Sequence, residues 1–436
     1  MAEMSFAPRM RAARGSAPGG KEDPLNVIGA LGLDNAFSFM QGCVSQRPAS
    51  IGDADSLLVV DFPNRPAKML AAALADYGPA SLLKVQLCDL PRLPLGKLKS
   101  TEVRSANFAD AAPWVAPRAR ECRSVVTSHA CWMQVVVEVY ACSVNPTDWK
   151  QRKGTLSTMC PLSLPCVLGI DLAGKVVRAG DDAPFSEGDE VFGRQTLDRM
   201  RVLNGSYAEF CIVECGDIYK KPASISMEEA AAVPHASLAA YAALARVGRL
   251  HEKRKQKDKA VLVLGGSGGV GTFAVQLAKH HFDCFTVASC SAANADFVKA
   301  LGADEVLDYK DPVFLLSAGL TKFDVILDCV GGDDYFQGFK KALAPDGVYV
   351  TLVGNTRYLA DSKTVEWSNV LEVRADYLVR QISNKLGAAE NYHILTGSQL
   401  KGGDLAIIAS LIEKETLHVV IDSTFSLYDI VKAHER

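Results

Sequence analysis

The sequence contains no uninterrupted apolar run of the roughly 18 to 20 residues that a membrane-spanning helix requires. The nearest candidate is VLVLGGSGGVGTFAVQLA, residues 261–278, which glycines interrupt. That pattern is typical of a buried strand followed by a buried helix. We therefore expect no integral membrane segment.

An excess of charge of one sign is also missing. The 436 residues include 47 Lys and Arg against 50 Asp and Glu, for a net charge of -3. Such a balance gives no electrostatic reason to expect nucleic acid or an anionic membrane surface as a partner. Neither partner is predicted.

Closely paired cysteines are the third absence. The chain has 12 cysteines but no C-x-x-C pair, and no secretory leader precedes them. This usage favours reduced, mostly buried thiols in an intracellular protein over a disulfide framework or a zinc site. We predict no bound metal.

Residues 1–65 have little periodicity and are predicted to be a leader or extension outside the core. Their first 20 residues contain Arg9, Arg11 and Arg14 with a single acid, Glu3, and many Ala, Ser and Gly residues. This composition fits an organelle transit peptide, with a disordered tail as the alternative. The predicted location is mitochondrial, or cytoplasmic if the tail is not a transit peptide.

Periodicity predicts an α/β protein with two domains and a returning tail. Residues 66–238 carry short strand patterns, such as VVVEV from Val135, and are predicted to form a β-rich domain with an inserted loop at about 94–130. The resemblance described below implies that this is the catalytic domain. Its first two strands flank a turn at Tyr77, Gly78 and Pro79. Residues 239–380 alternate strand and helix, which is typical of a doubly wound parallel sheet. Residues 381–436 are predicted to return to the catalytic domain, as helix, strand and helix from Leu405 onward.

The glycine run follows the first strand of that alternation and opens its first helix. Gly266, Gly268 and Gly271 supply G-x-G-x-x-G, and a second strand comes about 20 residues later. In this context glycines permit a tight turn, a close approach of backbone N–H groups to a pyrophosphate, and close packing of helix on sheet. The run therefore predicts a dinucleotide site. A glycine turn without a ligand is the alternative.

The end of the second strand predicts which dinucleotide is bound. NAD-preferring sites usually place Asp or Glu there to hold the ribose 2′-hydroxyl, whereas this strand ends Ser289, Cys290, Ser291. With no carboxylate to repel a 2′-phosphate, NADPH is the predicted cofactor. Lys299 and Tyr309 could reach that phosphate. The alternatives are a solvated helix face for Lys299 and a core position for Tyr309.

With these residues established, the chain resembles the medium-chain dehydrogenase/reductase family in its zinc-free quinone oxidoreductase branch. The resemblance runs from about Lys68 to the end. It rests on these segments in order: SVNPTDW, LPCVLGIDLAGKVVRAG, FSEGDEVFG, GSYAEF, AAAVPHASLAAYAAL, LGGSGGVGTFAVQLAK, LGADEVLDY and DCVGG.

The resemblance implies a Rossmann domain, a GroES-like catalytic domain and a cleft between them for nicotinamide and substrate. It implies a small-molecule quinone or enone substrate and a possible homodimer. It also implies cofactor contacts at Ser267, Gly269, Val270, Ser291 and Tyr309, with Val330, Gly331, Leu352 and Val353 lying along the cofactor toward the nicotinamide.

Departures from the zinc-dependent members bear on the chemistry. Those members have a catalytic cysteine where this chain has Asn145, and a His-Glu pair where it has Ile170 and Asp171. Without a Lewis acid, hydride delivery to an already electrophilic acceptor is favoured over interconversion of alcohols and ketones. The sequence also ends at AHER, before the glycine-lysine and final strand usual in relatives, which predicts a shortened catalytic domain of reduced stability.

Asn145 and Asp148 are the candidate catalytic residues. The Asn145 amide could orient substrate or the nicotinamide carboxamide, and Asp148 could order the same loop or bind a polar substrate group. The alternatives are a turn residue before Pro146 and a helix N-cap before Trp149. His235 and Tyr241 are weaker candidates.

The predicted function is NADPH-dependent reduction of a quinone or another activated enone. Two alternatives remain at this point: an enoyl-thioester reductase, and a non-catalytic protein that senses NADPH through an interaction surface.

Overall fold

The computed structural model describes residues 68–89, 133–157, 161–180, 182–196, 205–250, 258–311, 313–314, 321–354 and 391–436. The predicted leader, 1–65, and the predicted inserted loop at about 94–130 lie outside the described residues.

The catalytic half consists of antiparallel strands. Five strands form one sheet in the order β7-β3-β5-β6-β8, and three form another in the order β2-β1-β4. Branched residues such as Val135 and Val137 alternate into the core of the larger sheet, where Leu172 and Val176 meet them. The bounds are β1 Lys68–Leu74, β2 Leu83–Asp89, β3 Gln134–Cys142, β4 Cys166–Val167, β5 Asp171–Ala179, β6 Glu190–Arg194, β7 Phe210–Glu214 and β8 Ile218–Lys220. The predicted pairing of β1 with β2 is confirmed.

The second half is a six-stranded parallel sheet in the order β11-β10-β9-β12-β13-β14. Because β9 has β10 on one side and β12 on the other, the strand order reverses beside β9, where ligands bind in open α/β sheets. The predicted fold class, a doubly wound parallel sheet with a second β-rich domain, is confirmed. The strands are β9 Ala260–Leu264, β10 Phe285–Cys290, β11 Glu305–Asp308, β12 Phe323–Asp328, β13 Leu343–Thr351 and β14 Tyr392–Ile394.

The described helices are short and lie around both sheets. They are α1 Pro146–Lys153, α2 Met227–Ala232, α3 Pro234–Tyr241, α4 Gly269–Gln276, α5 Ala295–Ala300, α6 Asp333–Phe339, α7 Leu405–Glu413 and α8 Ile430–Glu435. Helices α3 and α4 continue into π-helical turns over Ala242–Val247 and Leu277–His281.

Helices α2 and α3 join the two halves. Ser226 starts α2 with a capping box, because the Glu229 N–H donates to Ser226 Oγ at 3.1 Å and the Ser226 N–H donates to the Glu229 carboxylate at 2.7 Å. Helix α3 is buried in one apolar cluster with Phe192 of the catalytic sheet and Val263 of the parallel sheet. A shared core of this kind holds the halves in contact along α3.

The predicted domain boundaries cut through two structural elements. Residue 238 falls inside α3, and the parallel sheet continues past residue 380 because β14 pairs with β13. The described part of the predicted tail thus begins with β14, a strand of the Rossmann sheet.

The C-terminal tail contains α7 and α8 but not the predicted strand between them. That part of the prediction is wrong, since residues 418–422 form no strand. Instead, the side chain of Gln276 makes two hydrogen bonds with the backbone of His418. The His418 N–H donates to Gln276 Oε1 at 2.8 Å, and Gln276 Nε2 donates to the His418 carbonyl at 3.0 Å. Beyond it, Ile430 of α8 packs in the apolar cluster of the catalytic half with Met69 and Tyr207.

Candidate active site and cofactor cleft

The glycine loop is anchored to the end of strand β10. The Gly266 N–H donates to the Ser289 carbonyl at 2.7 Å, and the Gly265 N–H donates to Ser289 Oγ at 3.1 Å. Gly265 has a φ of +84°, which L side chains rarely adopt. The loop therefore turns tightly from β9 into α4 while it stays attached to the neighbouring strand.

The other glycines of the motif fall into two groups. A Cβ on Gly266 would lie 2.9 Å from the Ala288 Cβ, and one on Gly271 would lie 2.1 Å from the Gly265 oxygen, so packing alone requires both glycines. A Cβ on Gly268 would meet nothing nearer than 3.4 Å, and one on Gly269 would meet nothing within 4 Å. The protein's own packing does not account for the last two glycines.

The open space over Gly268 and Gly269 fits a pyrophosphate. Helix α4 begins at Gly269 directly after Gly268, so the N–H groups of its first turn, including those of Gly269, Val270 and Gly271, have no partners within the helix. Such N–H groups and the helix dipole favour a negative charge at this end. Ser267, between the two groups of glycines, is half-buried.

Ser291 and Tyr309 follow the ends of the adjacent strands β10 and β11. The Tyr309 N–H donates to the Cys290 carbonyl at 3.2 Å, which fixes the two strand ends together. Ser291 is half-buried, while the Tyr309 side chain is 47% exposed, so the alternative of a core tyrosine is wrong. Lys299 is exposed in the last turn of α5. This position is compatible with both alternatives, contact with a 2′-phosphate and a solvated helix face.

Strand β12 ends in a turn that a buried carboxylate holds. Asp328 accepts hydrogen bonds from the Val330 N–H at 2.9 Å and the Gly331 N–H at 2.8 Å. Burial raises the pKa of Asp328, and these two donors oppose the rise. The turn places Val330, which is partly exposed, at the carboxyl edge of the sheet.

Strand β13 ends in a matching turn around a hydroxyl. Thr351 Oγ1 accepts from the Val353 N–H at 3.2 Å and the Gly354 N–H at 3.0 Å. A Cβ on Gly331 would lie 2.6 Å from the Val353 Cβ, so the two turns are in contact. The structure thus brings Val330, Gly331, Leu352 and Val353 together beside the strand-order reversal.

Asn145 and Asp148 lie at the start of α1, immediately after β3. Asn145 is the N-cap, Pro146 follows it, and the Asn145 N–H donates to Asp148 Oδ2 at 2.8 Å. The alternative that Asp148 is itself an N-cap is wrong, because it is the third helical residue of the capping box. Asp148 is fully buried and Asn145 nearly so.

The side chain of Asn145 points to a carboxylate that the sequence did not single out as a site residue. Asn145 Nδ2 donates to Asp171 Oδ2 at 3.0 Å and to Ser143 Oγ at 3.1 Å. Ser143 Oγ donates to Asp171 Oδ2 at 3.0 Å, and the His235 N–H donates to Asp171 Oδ1 at 3.1 Å. Two sequence signals were available for Asp171: it is an acid within the apolar run VLGIDLAG, and with Ile170 it stands where zinc-dependent relatives have a His-Glu pair.

Burial changes the titration of both acids. It raises the pKa of Asp171 to about 6 despite the hydrogen bonds from Asn145, His235 and Ser143. It raises the pKa of Asp148 to about 8 against the hydrogen bond from the Asn145 backbone, and the charge of Asp171 adds to the rise. Burial therefore favours the neutral form of both acids, and the charge on Asp171 makes ionisation of Asp148 still less favourable.

His235 and Tyr241 occupy structural positions on α3. Burial lowers the pKa of His235 to about 4, with Arg194 adding to the effect, so its imidazole is neutral at physiological pH. Its Nε2 lies 3.5 Å from Thr147 Oγ1. Tyr241 packs in the cluster that joins the two halves, with its ring centroid 6.2 Å from that of Phe282.

Two features are absent from the described part of the chain: a cluster of metal-binding side chains and a helix suited to a membrane. Its His, Cys, Asp and Glu side chains form no group of three or more that could hold a metal ion. Within the same residues, no helix combines the length and apolar character needed to cross a bilayer.

Together, a parallel sheet with a glycine-rich loop after its first strand and an antiparallel GroES-like sheet are typical of the two-domain class of nicotinamide-dependent oxidoreductases. The family model "Alcohol dehydrogenase GroES-like domain" matches residues 133–223, and "Zinc-binding dehydrogenase" matches residues 301–436. The chain belongs to the medium-chain dehydrogenase/reductase family, as its motifs predict.

Relatives within the family include quinone oxidoreductase homologues. A chloroplast envelope quinone oxidoreductase homolog of Arabidopsis thaliana is 37% identical over 50% of this chain and 66% of its own length. The mitochondrial NAD(P)H oxidoreductase RTN4IP1 of Bos taurus is 33% identical over 69% of this chain and 77% of its own length. The segments ILDCVGG, YVTLVG and SGGVGTFAVQ predict a resemblance to RTN4IP1, which this match confirms.

A solved structure shows the same fold over most of the chain. The quinone oxidoreductase from Coxiella burnetii superimposes with a TM-score of 0.59 at 26% identity, covering 84% of this chain and 95% of that protein. The match to the Arabidopsis protein, by contrast, spans slightly less than two thirds of that protein. The activity, substrate and partners of this chain are therefore proposed and not taken over from its relatives.

Proposed function

We propose that this protein is an NADPH-dependent oxidoreductase that transfers hydride to a quinone or another activated enone. The observation that carries the proposal is the open space at Gly268 and Gly269. Packing does not require these glycines, yet they lie at the start of α4, beside the strand-order reversal, in a chain of this family. A phosphate group supplies the reason for their presence.

The preference for NADPH over NADH is supported by the end of β10. Ser291 stands where an NAD site would place a carboxylate, and the exposed Tyr309 lies at the next strand end. A hydroxyl and a phenol can donate hydrogen bonds to a 2′-phosphate, whereas a carboxylate would repel it. Lys299 on α5 would add a positive charge to this region.

Asn145 supports the proposal that the hydride passes to a quinone or enone acceptor. When bound, NADPH supplies the hydride, and the residues of this chain supply binding and orientation. The glycine loop holds the phosphates, the turns at Val330 and Val353 border the nicotinamide side, and Asn145 orients the acceptor or the carboxamide. The proton comes from solvent or a nearby hydroxyl, and the reaction uses no zinc because an amide stands in the place of the cysteine ligand.

The location and assembly belong to the same proposal. Relatives carry chloroplast and mitochondrial names, and the Arg-rich first 20 residues resemble a transit peptide, so an organelle, the mitochondrion, is proposed. A homodimer is proposed from the resemblance to the quinone oxidoreductase branch.

Steady-state oxidation of NADPH by the purified protein with a soluble quinone tests the function, beside an identical NADH series. Quinone-dependent turnover that prefers NADPH is the expected result. Turnover only with an enoyl thioester would overturn the acceptor. Tight NADPH binding in a fluorescence titration without turnover of any acceptor would favour the sensor alternative.

A further inference from the structure

We propose that Asp171 is the positioning residue of this site: its carboxylate sets the orientation of the Asn145 amide and ties it to the start of α3. The inference rests on the proposed function, because it assigns Asn145 a part in orienting acceptor or carboxamide. Asp171 itself is fully buried, so it acts through other groups and touches no substrate.

The geometry determines which end of the Asn145 amide faces inward. An ionised carboxylate only accepts hydrogen bonds, so the amide nitrogen must face Asp171, and Nδ2 donates to Oδ2 at 3.0 Å. The second proton of Nδ2 is directed to Ser143 Oγ at 3.1 Å. With both donors engaged, the remaining polar atom of the amide is the oxygen Oδ1, which faces the Asp148 N–H in the capping box. Because a carbonyl oxygen has two lone pairs, Oδ1 can accept a second hydrogen bond from an N–H or O–H of a ligand.

The same carboxylate also fixes the helix that joins the two halves. The His235 N–H, in the first turn of α3, donates to Asp171 Oδ1 at 3.1 Å and to Oδ2 at 3.2 Å. Helix α3 leads into the cluster that contains Val263 of β9, the strand that opens the glycine loop. Asp171 thus links Asn145 to the first turn of α3 by hydrogen bonds, and the apolar packing of α3 continues the connection to β9.

Asp171→Asn keeps the shape but removes one acceptor. The new amide has one oxygen for the donors of Asn145, Ser143 and His235, and its own nitrogen would face one of them. If that oxygen keeps the His235 N–H, the Asn145 amide must reverse and present Nδ2 where Oδ1 was. Turnover is therefore expected to fall at least tenfold in kcat, while the Kd for NADPH stays within about twofold.

Asp182→Asn is the matched control, because Asp182 is exposed after β5 and the change in charge is the same. It should leave kcat and the Kd for NADPH unchanged. The wild-type kcat should also decrease below pH about 6, where Asp171 takes up a proton, and Asp171→Asn should lack that decrease. The pH dependence of kcat is measured for the wild type and for Asp171→Asn with the same quinone.

A double-mutant cycle that combines Asp171→Asn with Asn145→Ala tests the inference. The coupling between the two changes is measured in kcat and, separately, in the free energy of unfolding. Positioning predicts that Asp171→Asn costs little in kcat once Asn145 is already alanine, and that the two changes are coupled in stability. Additive effects in both measurements would overturn the inference. Absence of wild-type turnover would refute the proposed function alone, because the coupling in the free energy of unfolding still tests the Asn145–Asp171 link.

Discussion

Replacing Gly269 with aspartate should separate cofactor binding from stability. Gly269 begins α4, and a Cβ there would meet nothing within 4 Å, so the protein itself has room for the side chain. An acid in the first turn of a helix interacts favourably with the helix dipole, and any other residue orders the backbone better than glycine. We expect Gly269→Asp to be as stable as the wild type or up to about 1 kcal/mol more stable.

Affinity for NADPH should change in the opposite direction. Two like charges about 4 Å apart repel by about 4 kcal/mol at an effective dielectric constant of 20. Because Gly269 is exposed, screening reduces this to about 2 kcal/mol, which corresponds to roughly 30-fold weaker binding. The measurements are a fluorescence titration with NADPH and chemical denaturation of the free protein.

Two comparison variants make the result specific. Gly216→Asp adds the same charge where a Cβ also meets nothing within 4 Å, but in the catalytic half, so its affinity should be unchanged. Gly271→Ala places a Cβ 2.1 Å from the Gly265 oxygen, and we expect it to cost about 2 to 3 kcal/mol of stability. Unchanged NADPH affinity in Gly269→Asp would refute the assignment of the phosphate loop.

Two further predictions concern Ser291 and Asp148. Ser291→Asp should weaken NADPH relative to NADH by at least about tenfold in parallel titrations, because a carboxylate repels a 2′-phosphate, and an unaltered preference would remove Ser291 from the site. Since burial raises the pKa of Asp148 to about 8, its contribution to stability is greatest below its unfolded pKa near 4 and is lost as the pH rises to 8. Asp148→Asn should therefore lose less stability than the wild type between pH 5 and 9 in urea denaturation, and equal losses in the two proteins would contradict the burial of this acid.

Local patterns account for most of the elements and for the cofactor half of the site. The strand before Gly265 and the helix after Gly268 follow from continuous apolar residues on either side of a glycine run, and both form as predicted. Their order along the chain also predicts the parallel sheet, because alternating strands and helices have few other ways to bury their apolar faces. The capping box at Ser226 is similarly visible in the sequence, since its partner is three residues away.

Patterns of this kind failed where a distant side chain satisfied the backbone. The apolar run from His418 was predicted to be a strand, but Gln276, 142 residues earlier, takes the hydrogen bonds that a neighbouring strand would have made. An isolated amide in α4 carries no sequence signal of that pairing. The prediction was wrong because periodicity reports which residues are buried and not which groups their backbone meets.

The sequence by itself thus determined the fold class, the glycine loop between β9 and α4 and the absence of an acid directly after β10, because each depends on residue types at short spacing. Tertiary structure alone decided that Asn145 meets Asp171, 26 residues away, and that the N–H of His235 joins them from α3. It also showed which glycines serve packing and which leave open space. Both results depend on distances between elements that the chain brings together only when it folds.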